Sequence, residues 1–557
     1  MKYLSLLVIL LGFACSVKGA PLQYGVPIDF PETQQAPTVN HALDDAQRAG
    51  MSLVKVRVDW PRIQPDAKTW NFTSLDALVT KARARDLTVV LVFGPAPSWT
   101  VSYLKRPTPE QLTRACPDLK PYVRFATEVA KRYADRVRYY QLWERPTAAS
   151  LLATAAQTRK LFRAAARAVH GVNPALRVIA PEPGDVELGW IYDYLREAQG
   201  AEQPDILLLS AVSERATPEA LMRRFSVLRD RVLPAPAPML WGGISVTVEQ
   251  EWGWTAAAAL LLQNVSTLLL QPTAPYRDLC AKPAFFSELQ TLATLRGQNY
   301  LGWQRVGPAT AGVFEKGKQQ SAVILPDASP AAGAALRLVQ SVEPVEDGIA
   351  VPTRRVEVRR LTGGTQQIEV SDDAQFPLPP QPIILAGVSL APTAGALPLR
   401  ASPMTCESVS LDRSGADPRA IRPLRNLPGG RYAQVVIQGQ IEVLQTIRDQ
   451  QPWIHLDVPD DFLFFNLERR PVEVSVRVRG VTKAQKTGLS LYYDAIGGMN
   501  NSAWQWIDIG PYKEFTYTFR LNDALFAGSE GYDLRLDMGG SEENLRVIDV
   551  TVWKLAR

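Results

Sequence analysis

The sequence predicts a protein of several domains: a (β/α)8 barrel followed by two β-sandwich domains, the last of jelly-roll type. Three observations predict this fold class. The chain has 557 residues, whereas one domain typically holds about 100–200. Short apolar strands alternate with helical segments from residue 22 to residue 300. Beyond residue 300, apolar and polar residues alternate with a period of two, which is typical of antiparallel strands.

Eight strand-like segments occur in the first 300 residues, beginning with LQYGVPIDF, SLVKVRVDW and LTVVLVFGP. Helical patterns such as PYVRFATEVAKRYAD lie between most of them. The strands are continuously apolar, which indicates burial on both faces, as in a parallel sheet. This count predicts a barrel whose functional site lies at the carboxyl ends of the strands. A doubly wound sheet is the alternative, but no Gly-rich phosphate loop follows the first strand.

The pattern of the remaining residues predicts two β-rich blocks. Strand patterns such as TRRVEVRRL fill the first block, and patterns such as VEVSVRVRG and EFTYTFRL fill the second. The Pro- and Ala-rich segment APTAGALPLRASP between the blocks is a plausible hinge. We therefore assign the barrel to residues 20–300, a small antiparallel β-sandwich to 301–395 and a jelly-roll domain to 396–557.

Residues 1–19 predict a secretory signal peptide. A lysine precedes an apolar run from Leu4 to Ala14, and small residues follow this run, which is too short to cross a bilayer. We therefore expect a secreted or periplasmic protein. Cys15 leaves lipoprotein anchoring open, although Phe13 fits that signal poorly.

Composition excludes several kinds of partner and cofactor. The formal charge of +5 comes from 61 basic and 56 acidic residues without a Lys/Arg block, so no nucleic-acid partner is expected. The three histidines are scattered and no C-x-x-C motif occurs, so neither a metal nor another cofactor is expected. Export would permit a bridge between Cys116 and Cys280, with Cys406 left over, but spacing alone does not establish this bridge.

Several motifs recur in order along the barrel segment. Arg57 ends the second strand, Trp99 closes a Pro-x-x-Trp motif after the third, and Trp143 and Pro146 belong to the turn LWERP after the fourth. In this order the segment resembles the retaining glycosidases of the (β/α)8 superfamily called clan A. The resemblance implies a barrel that acts on a carbohydrate or polysaccharide without a cofactor.

The same resemblance indicates that both catalytic carboxylates have been replaced. The superfamily uses the Glu of a W-N-E-P turn as acid/base and a Glu at the end of strand seven as nucleophile. Here Arg145 occupies the first position and Gly243 the second. Arginine stays protonated and cannot deliver a proton, and glycine has no side chain with which to attack.

Two functional interpretations follow. The favoured one is a secreted, catalytically silent glycoside hydrolase-like protein that binds glycan or polysaccharide, or that scaffolds other cell-envelope proteins. The alternative is an active glycoside hydrolase with a relocated acid/base at Glu144. Its second carboxylate would come from a loop, and the candidates are Glu182, Glu214, Glu249 and Glu251.

Substrate contacts are predicted for four residues near strand ends, namely Arg57, Trp99, Trp143 and Trp241. Sugars stack their apolar C–H faces on aromatic rings, although packing at the top of the barrel is the alternative role for the tryptophans.

The last block, with segments such as LSLYYDAIGG, resembles galactose-binding-like jelly rolls of bacterial secreted glycosidases. Trp504 and Trp506 are its candidates for sugar contact, again with packing as the alternative. Asp460, Asp461, Asp494 and Asp537 could ligate a structural calcium, but no loop of fixed spacing supports this.

Overall fold

The protein is described by a computed structural model. The described residues are 21–555 apart from 29–35, 109–110, 113, 145–152, 154, 182–187, 212–217, 234–236, 247–250, 273–288, 328–332, 361–363, 371–373, 395, 398–405, 418, 425–431, 438–439, 448–452, 461, 467–468, 481–486, 496–497, 508–512, 529–531 and 542–543. The predicted signal peptide therefore lies outside the described residues, as do Cys15, Arg145 and Cys280.

Eight parallel strands close into a barrel in sequence order. The strands are β1 (Gln23–Ile28), β2 (Leu53–Arg57), β3 (Thr88–Val92), β4 (Tyr139–Gln141), β5 (Arg177–Ile179), β6 (Ile206–Ala211), β7 (Met239–Val246) and β8 (Thr267–Pro272). The helices described around them are α1 (Ala36–Arg48), α2 (Trp60–Ile63), α3 (Thr73–Arg83), α4 (Leu119–Tyr133), α5 (Ala155–Val172), α6 (Leu188–Glu197), α7 (Pro218–Val227) and α8 (Glu251–Leu262). None of these helices is long and apolar enough to cross a membrane.

Large apolar side chains fill the barrel interior, as expected for strands that are buried on both faces. Leu53, Val90, Leu208, Trp241 and Leu269 are among the members of this core. Gly25 of β1 leaves room for it, because a β-carbon there would lie 2.1 Å from the Leu53 side chain. The helices pack apolar stripes against the outside of the strands, and α4 buries Tyr122 and Phe125 in this way.

The chain divides into two compact units. One contains Thr294–Ala396, and its strands are β9 (Asn299–Val306), β10 (Ala309–Lys316), β11 (Gln319–Pro326), β12 (Ala335–Gln340), β13 (Ile349–Val351), β14 (Arg355–Arg360), β15 (Thr365–Glu369), β16 (Ala374–Pro377) and β17 (Ile383–Val388). They form a six-stranded sheet in the order β15-β14-β17-β11-β10-β9 and a three-stranded sheet in the order β13-β12-β16. Apolar residues of both sheets share one core, which makes this unit a β-sandwich.

The other unit joins the barrel, Gln23–Ala293, to Leu397–Arg557. The strands of its C-terminal part are β18 (Ser408–Ser410), β19 (Arg422–Leu424), β20 (Tyr432–Ile437), β21 (Gln440–Thr446), β22 (Trp453–Asp457), β23 (Val472–Arg479), β24 (Thr487–Ala495), β25 (Gly498–Asn501), β26 (Gln505–Ile507), β27 (Glu514–Leu521), β28 (Leu534–Asp537) and β29 (Arg546–Lys554).

These strands form a second sandwich with one shared core. One sheet follows the order β20-β21-β29-β23-β27 with β18 beside β29, and the other follows β19-β22-β28-β24-β25 with β26 beside β24. A closed parallel barrel followed by two β-sandwiches, antiparallel apart from the parallel β12–β13 pair, confirms the predicted fold class. The galactose-binding-like identity of the last sandwich stays a prediction.

Candidate active site at the barrel opening

Strand β2 carries a lysine and an arginine whose side chains face the barrel interior. Alternate residues of a strand face the same side of the sheet, and Leu53 belongs to the barrel core. Lys55 and Arg57 therefore face the interior too. Lys55 is only 2% exposed, whereas Arg57, at the carboxyl end of the strand, is exposed. The two cations thus lie at successive depths below the carboxyl-end opening of the barrel.

The Glu144 carboxylate joins these two cations. Glu144 follows β4, the second strand along from β2, and its side chain is 21% exposed. Its Oε1 lies 2.6 Å from Lys55 Nζ, and its Oε2 accepts a hydrogen bond from Arg57 Nη2. Burial alone would raise the pKa of Glu144, but the charges and hydrogen bonds of Lys55 and Arg57 hold that pKa well below its usual value.

This environment suits a structural counter-ion better than a general acid. A glycosidase acid must carry a proton near neutral pH, which requires a raised pKa. Glu144 stays ionised because two cations stabilise its charge. Its ionised form also compensates the buried charge of Lys55, which would be costly without a partner.

Strand β7 offers no side chain at the predicted nucleophile position. Gly243 pairs with Ser210 of β6 and Leu269 of β8. A β-carbon at the neighbouring Gly242 would lie 2.9 Å from Leu260 of α8, so Gly242 faces the helices. Gly243 therefore faces the barrel axis, two residues beyond Trp241, and presents only its backbone there.

None of the eight barrel strands contains an aspartate or a glutamate. Carboxylates can therefore reach the opening only from the loops. Asp59 follows β2, accepts a 3.3 Å hydrogen bond from the Arg62 backbone and lies 3.8 Å from the Arg62 side chain. The loop candidates Glu182, Glu214 and Glu249 lie outside the described residues, and Glu251 is the first residue of α8.

Two of the predicted substrate tryptophans, Trp143 and Trp241, are buried in packing contacts. Trp241 is 1% exposed within the barrel core, and β7 continues for five residues beyond it. Its predicted place at the strand end is therefore wrong. Trp143 does follow its strand, but its ring is buried against Tyr122 and Phe162 at centroid distances of 5.8 and 6.1 Å. Trp143 is therefore only 6% exposed.

Trp99 and Arg57 keep accessible surface near the opening. Trp99 lies in a short 3-10 turn after β3, is half-buried and donates a 3.1 Å hydrogen bond to the Gln64 carbonyl after α2. Arg57 lines a cavity of about 40 Å³ together with Asp59, Arg62, Asn71 and Ser74. Ligand pockets typically measure about 300–1,000 Å³. This cavity admits a small polar group rather than a whole sugar ring.

Lys55 is the residue of this site that the sequence interpretation missed. The segment LVKVR carries a signal for it, because a lysine within a buried strand must face either the helices or the barrel interior and requires a partner in both cases. Within the described part of the chain, no group of three or more His, Cys, Asp or Glu residues could hold a metal ion.

Solved structures of similar fold are glycoside hydrolases. A family 39 glycoside hydrolase from the gut symbiont Bacteroides cellulosilyticus WH2 aligns with a TM-score of 0.50 and 14% identity, covering 66% of this chain and 81% of that chain. A GH30 endoxylanase from Clostridium papyrosolvens C71 and a GH39 beta-xylosidase from Caulobacter crescentus each align with a TM-score of 0.48 and 14% identity, covering 67% of this chain and 98% of theirs.

No protein-family model and no curated protein sequence matches the chain. The likeness to the family 39 enzyme confirms the predicted resemblance in fold to the glycosidase superfamily. At this identity the likeness shows the fold alone, so activity must be argued from the site.

Proposed function

We propose that this chain is an exported glycan-binding protein that is built on a glycosidase-like barrel and does not hydrolyse glycosidic bonds. One observation carries the proposal. Glu144, the carboxylate nearest the usual acid/base position, is paired with Lys55 and Arg57 and stays ionised. The absence of a side chain at Gly243, where the superfamily has its nucleophile, supports the proposal further. The signal-like sequence of residues 1–19 supports export.

Arg57 and Trp99 are the proposed glycan contacts. An arginine presents planar donors in a fixed fork, and the accessible part of a half-buried indole offers an apolar surface to a sugar ring. Both residues lie on the carboxyl-end side of the barrel, where barrels of this fold carry their binding sites. Trp143 and Trp241 are not included, because packing occupies their rings.

A panel of nitrophenyl glycosides and a glycan array together test the proposal. We expect the full chain to release no nitrophenol above the buffer blank and to bind glycans on the array. Trp99→Ala and Arg57→Lys should weaken this binding about tenfold, the effect typical of losing a binding hot spot. Arg177→Lys is the matched control, because Arg177 also pairs with a carboxylate but lies at the opposite, amino end of a barrel strand.

The same panel detects the alternative, an active hydrolase with a relocated acid/base at Glu144. The ionised state of Glu144 would suit a nucleophile more than an acid, so that enzyme would need a separate proton donor. Turnover that Glu144→Gln abolishes, while circular dichroism shows the variant still folded, would contradict the proposal and establish the alternative.

A further inference from the structure

A second surface with the character of a ligand site lies on the C-terminal sandwich. In the sheet that contains β22, β28, β24 and β26, residues such as Leu456, Leu534, Leu491 and Ile507 belong to the core. Because side chains alternate along a strand, Trp453, Asp537 and Trp506 project from the opposite side of this sheet. We call the surface formed by Trp453, Asp537, Trp504 and Trp506 the tryptophan face.

Trp506 is the most exposed of the large side chains on this surface, at 64%. Trp504 supports it edge-on, with the ring centroids 5.6 Å apart and the planes at 70°. Two glycines make room for Trp504, since a β-carbon at Gly488 or Gly540 would approach its indole to 2.5 or 2.8 Å. The two glycines therefore allow the Trp504 indole to lie against the sheet, whereas the Trp506 indole stays exposed to solvent.

At the other end of the tryptophan face, Trp453 belongs to a stack of three side chains. The Arg535 guanidinium lies between the rings of Trp453 and Tyr492, 4.2 and 3.9 Å from their centroids. The residues come from three adjacent strands in register, which fixes the order of the stack. Cation–π contacts of this kind restrict the mobility of all three side chains. A ligand on this surface would therefore meet pre-ordered groups and lose little additional entropy.

Two charged groups on this side of the sheet, Asp537 and Arg535, carry opposite charges. Asp537 lies 4.0 Å from Arg535 and accepts a hydrogen bond from the Gly539 backbone. Burial, with the nearby charge of Arg535, lowers the pKa of His455 to about 4, so this histidine is neutral at pH 7. A carboxylate acceptor and a guanidinium donor of cancelling charge complement the hydroxyls of an uncharged polyol.

We propose that the tryptophan face binds a neutral oligosaccharide, which stacks one ring on Trp506 and hydrogen-bonds to Asp537. This site is separate from the barrel opening and does not rest on the function proposed there.

Tryptophan fluorescence of the full chain, titrated with soluble xylan, β-glucan and galactomannan, tests this inference. We expect at least one of these neutral polysaccharides to shift the emission, and Trp506→Ala to weaken binding about tenfold. Asp537→Asn should weaken binding to a smaller extent. Trp553→Ala is the matched control, because Trp553 is 43% exposed on β29 of the opposite sheet and should leave binding unchanged.

Three outcomes would overturn the inference. They are binding of none of the neutral polysaccharides, equal loss with Trp506→Ala and Trp553→Ala, and Trp506-dependent binding of polygalacturonate alone. Arg57→Lys separates this site from the barrel opening, since that variant should keep the Trp506-dependent response. Thermal unfolding of Trp506→Ala should match that of the unmodified chain, because the removed ring is mostly in solvent.

Discussion

A single buried charge organises the barrel opening. Lys55 lies within the barrel at 2% exposure, where an unpaired ammonium would lose most of its hydration. Glu144 supplies the compensating charge, and Arg57 holds the second oxygen of the same carboxylate. Glu144, the carboxylate nearest the acid/base position of the superfamily, therefore balances the charges of Lys55 and Arg57.

We predict that Glu144→Gln destabilises the protein by about 2–4 kcal/mol, somewhat less than the 3–5 kcal/mol typical of breaking a fully buried pair. The loss arises because Lys55 stays buried without its counter-charge. The double variant Lys55→Met/Glu144→Gln should recover most of it. Urea unfolding followed by circular dichroism measures the free energy of unfolding of each variant.

Glu128→Gln provides the control for this prediction. Glu128 pairs with Lys131 on the exposed surface of α4, where removing one partner should change the free energy of unfolding by less than about 0.5 kcal/mol. If Glu144→Gln were as mild as Glu128→Gln, the counter-ion role of Glu144 would be wrong.

Sequence alone could single out Arg57 and Glu144, because motif order located both at strand ends. It could not assign Trp143, which also follows its strand. The role of that ring is decided by Tyr122 and Phe162, which two helices bring to it, and by Gly94, whose β-carbon would lie 3.2 Å from the ring. A local sequence pattern does not reveal contacts between residues that are distant in sequence.

At the scale of elements, Asp205 joins one helix to two strands at the amino end of the barrel. Its carboxylate lies 2.9 Å from His170 Nε2 of α5 and 2.7 Å from Arg177 Nη1 of β5, and it accepts a 2.8 Å hydrogen bond from the Val178 backbone. His170 Nδ1 lies 2.8 Å from the Ala201 carbonyl. In this fold the amino end of the barrel generally serves stability rather than catalysis.

We predict that the contact between His170 and Asp205 makes the free energy of unfolding depend on pH. The hydrogen bond to Asp205 raises the pKa of His170 in the folded protein, although burial opposes it. The stabilisation is therefore complete below the unfolded pKa of about 6.5 and is lost as the pH rises through the higher folded value. His170→Gln should cost about 1.5–3 kcal/mol at pH 5.5, as expected for a charged hydrogen bond, and clearly less at pH 9.

Urea unfolding of both proteins across this pH range measures the difference. His41→Gln on the exposed surface of α1 is the control for replacing a histidine by glutamine. A His170→Gln effect that is constant with pH, or that grows towards pH 9, would refute the linkage.

The strands show where sequence patterns suffice at this scale. The segments LQYGVPIDF and LTVVLVFGP contain β1 and β3, because continuous apolar runs identify buried parallel strands. The end of β7 was harder to predict, which is why Trp241 was misplaced. Pairing with β6 and β8 extends β7 to Val246, and the partners that extend a strand are known only once the barrel has closed.

At the scale of the molecule, the C-terminal sandwich is anchored to the barrel within one compact unit. Arg224 of α7 lies 3.2 Å from Asp460, and both side chains are largely buried. Tyr192 of α6 packs edge-on against Phe465 at 5.8 Å. At the start of the C-terminal part, the Leu397 amide donates a 3.0 Å hydrogen bond to the Leu262 carbonyl at the end of α8.

We predict that the barrel and the C-terminal sandwich unfold together in one calorimetric transition because these contacts couple them. In a double-mutant cycle of Arg224→Gln and Asp460→Asn, the coupling energy should be about 1 kcal/mol, between the values of exposed and buried ion pairs. Arg355→Gln, which removes an exposed ion pair with Glu369 in the other compact unit, should leave this transition unchanged. Separate transitions of the barrel and the C-terminal sandwich in the unmodified chain, unaffected by Arg224→Gln, would show that the two fold independently despite their contacts.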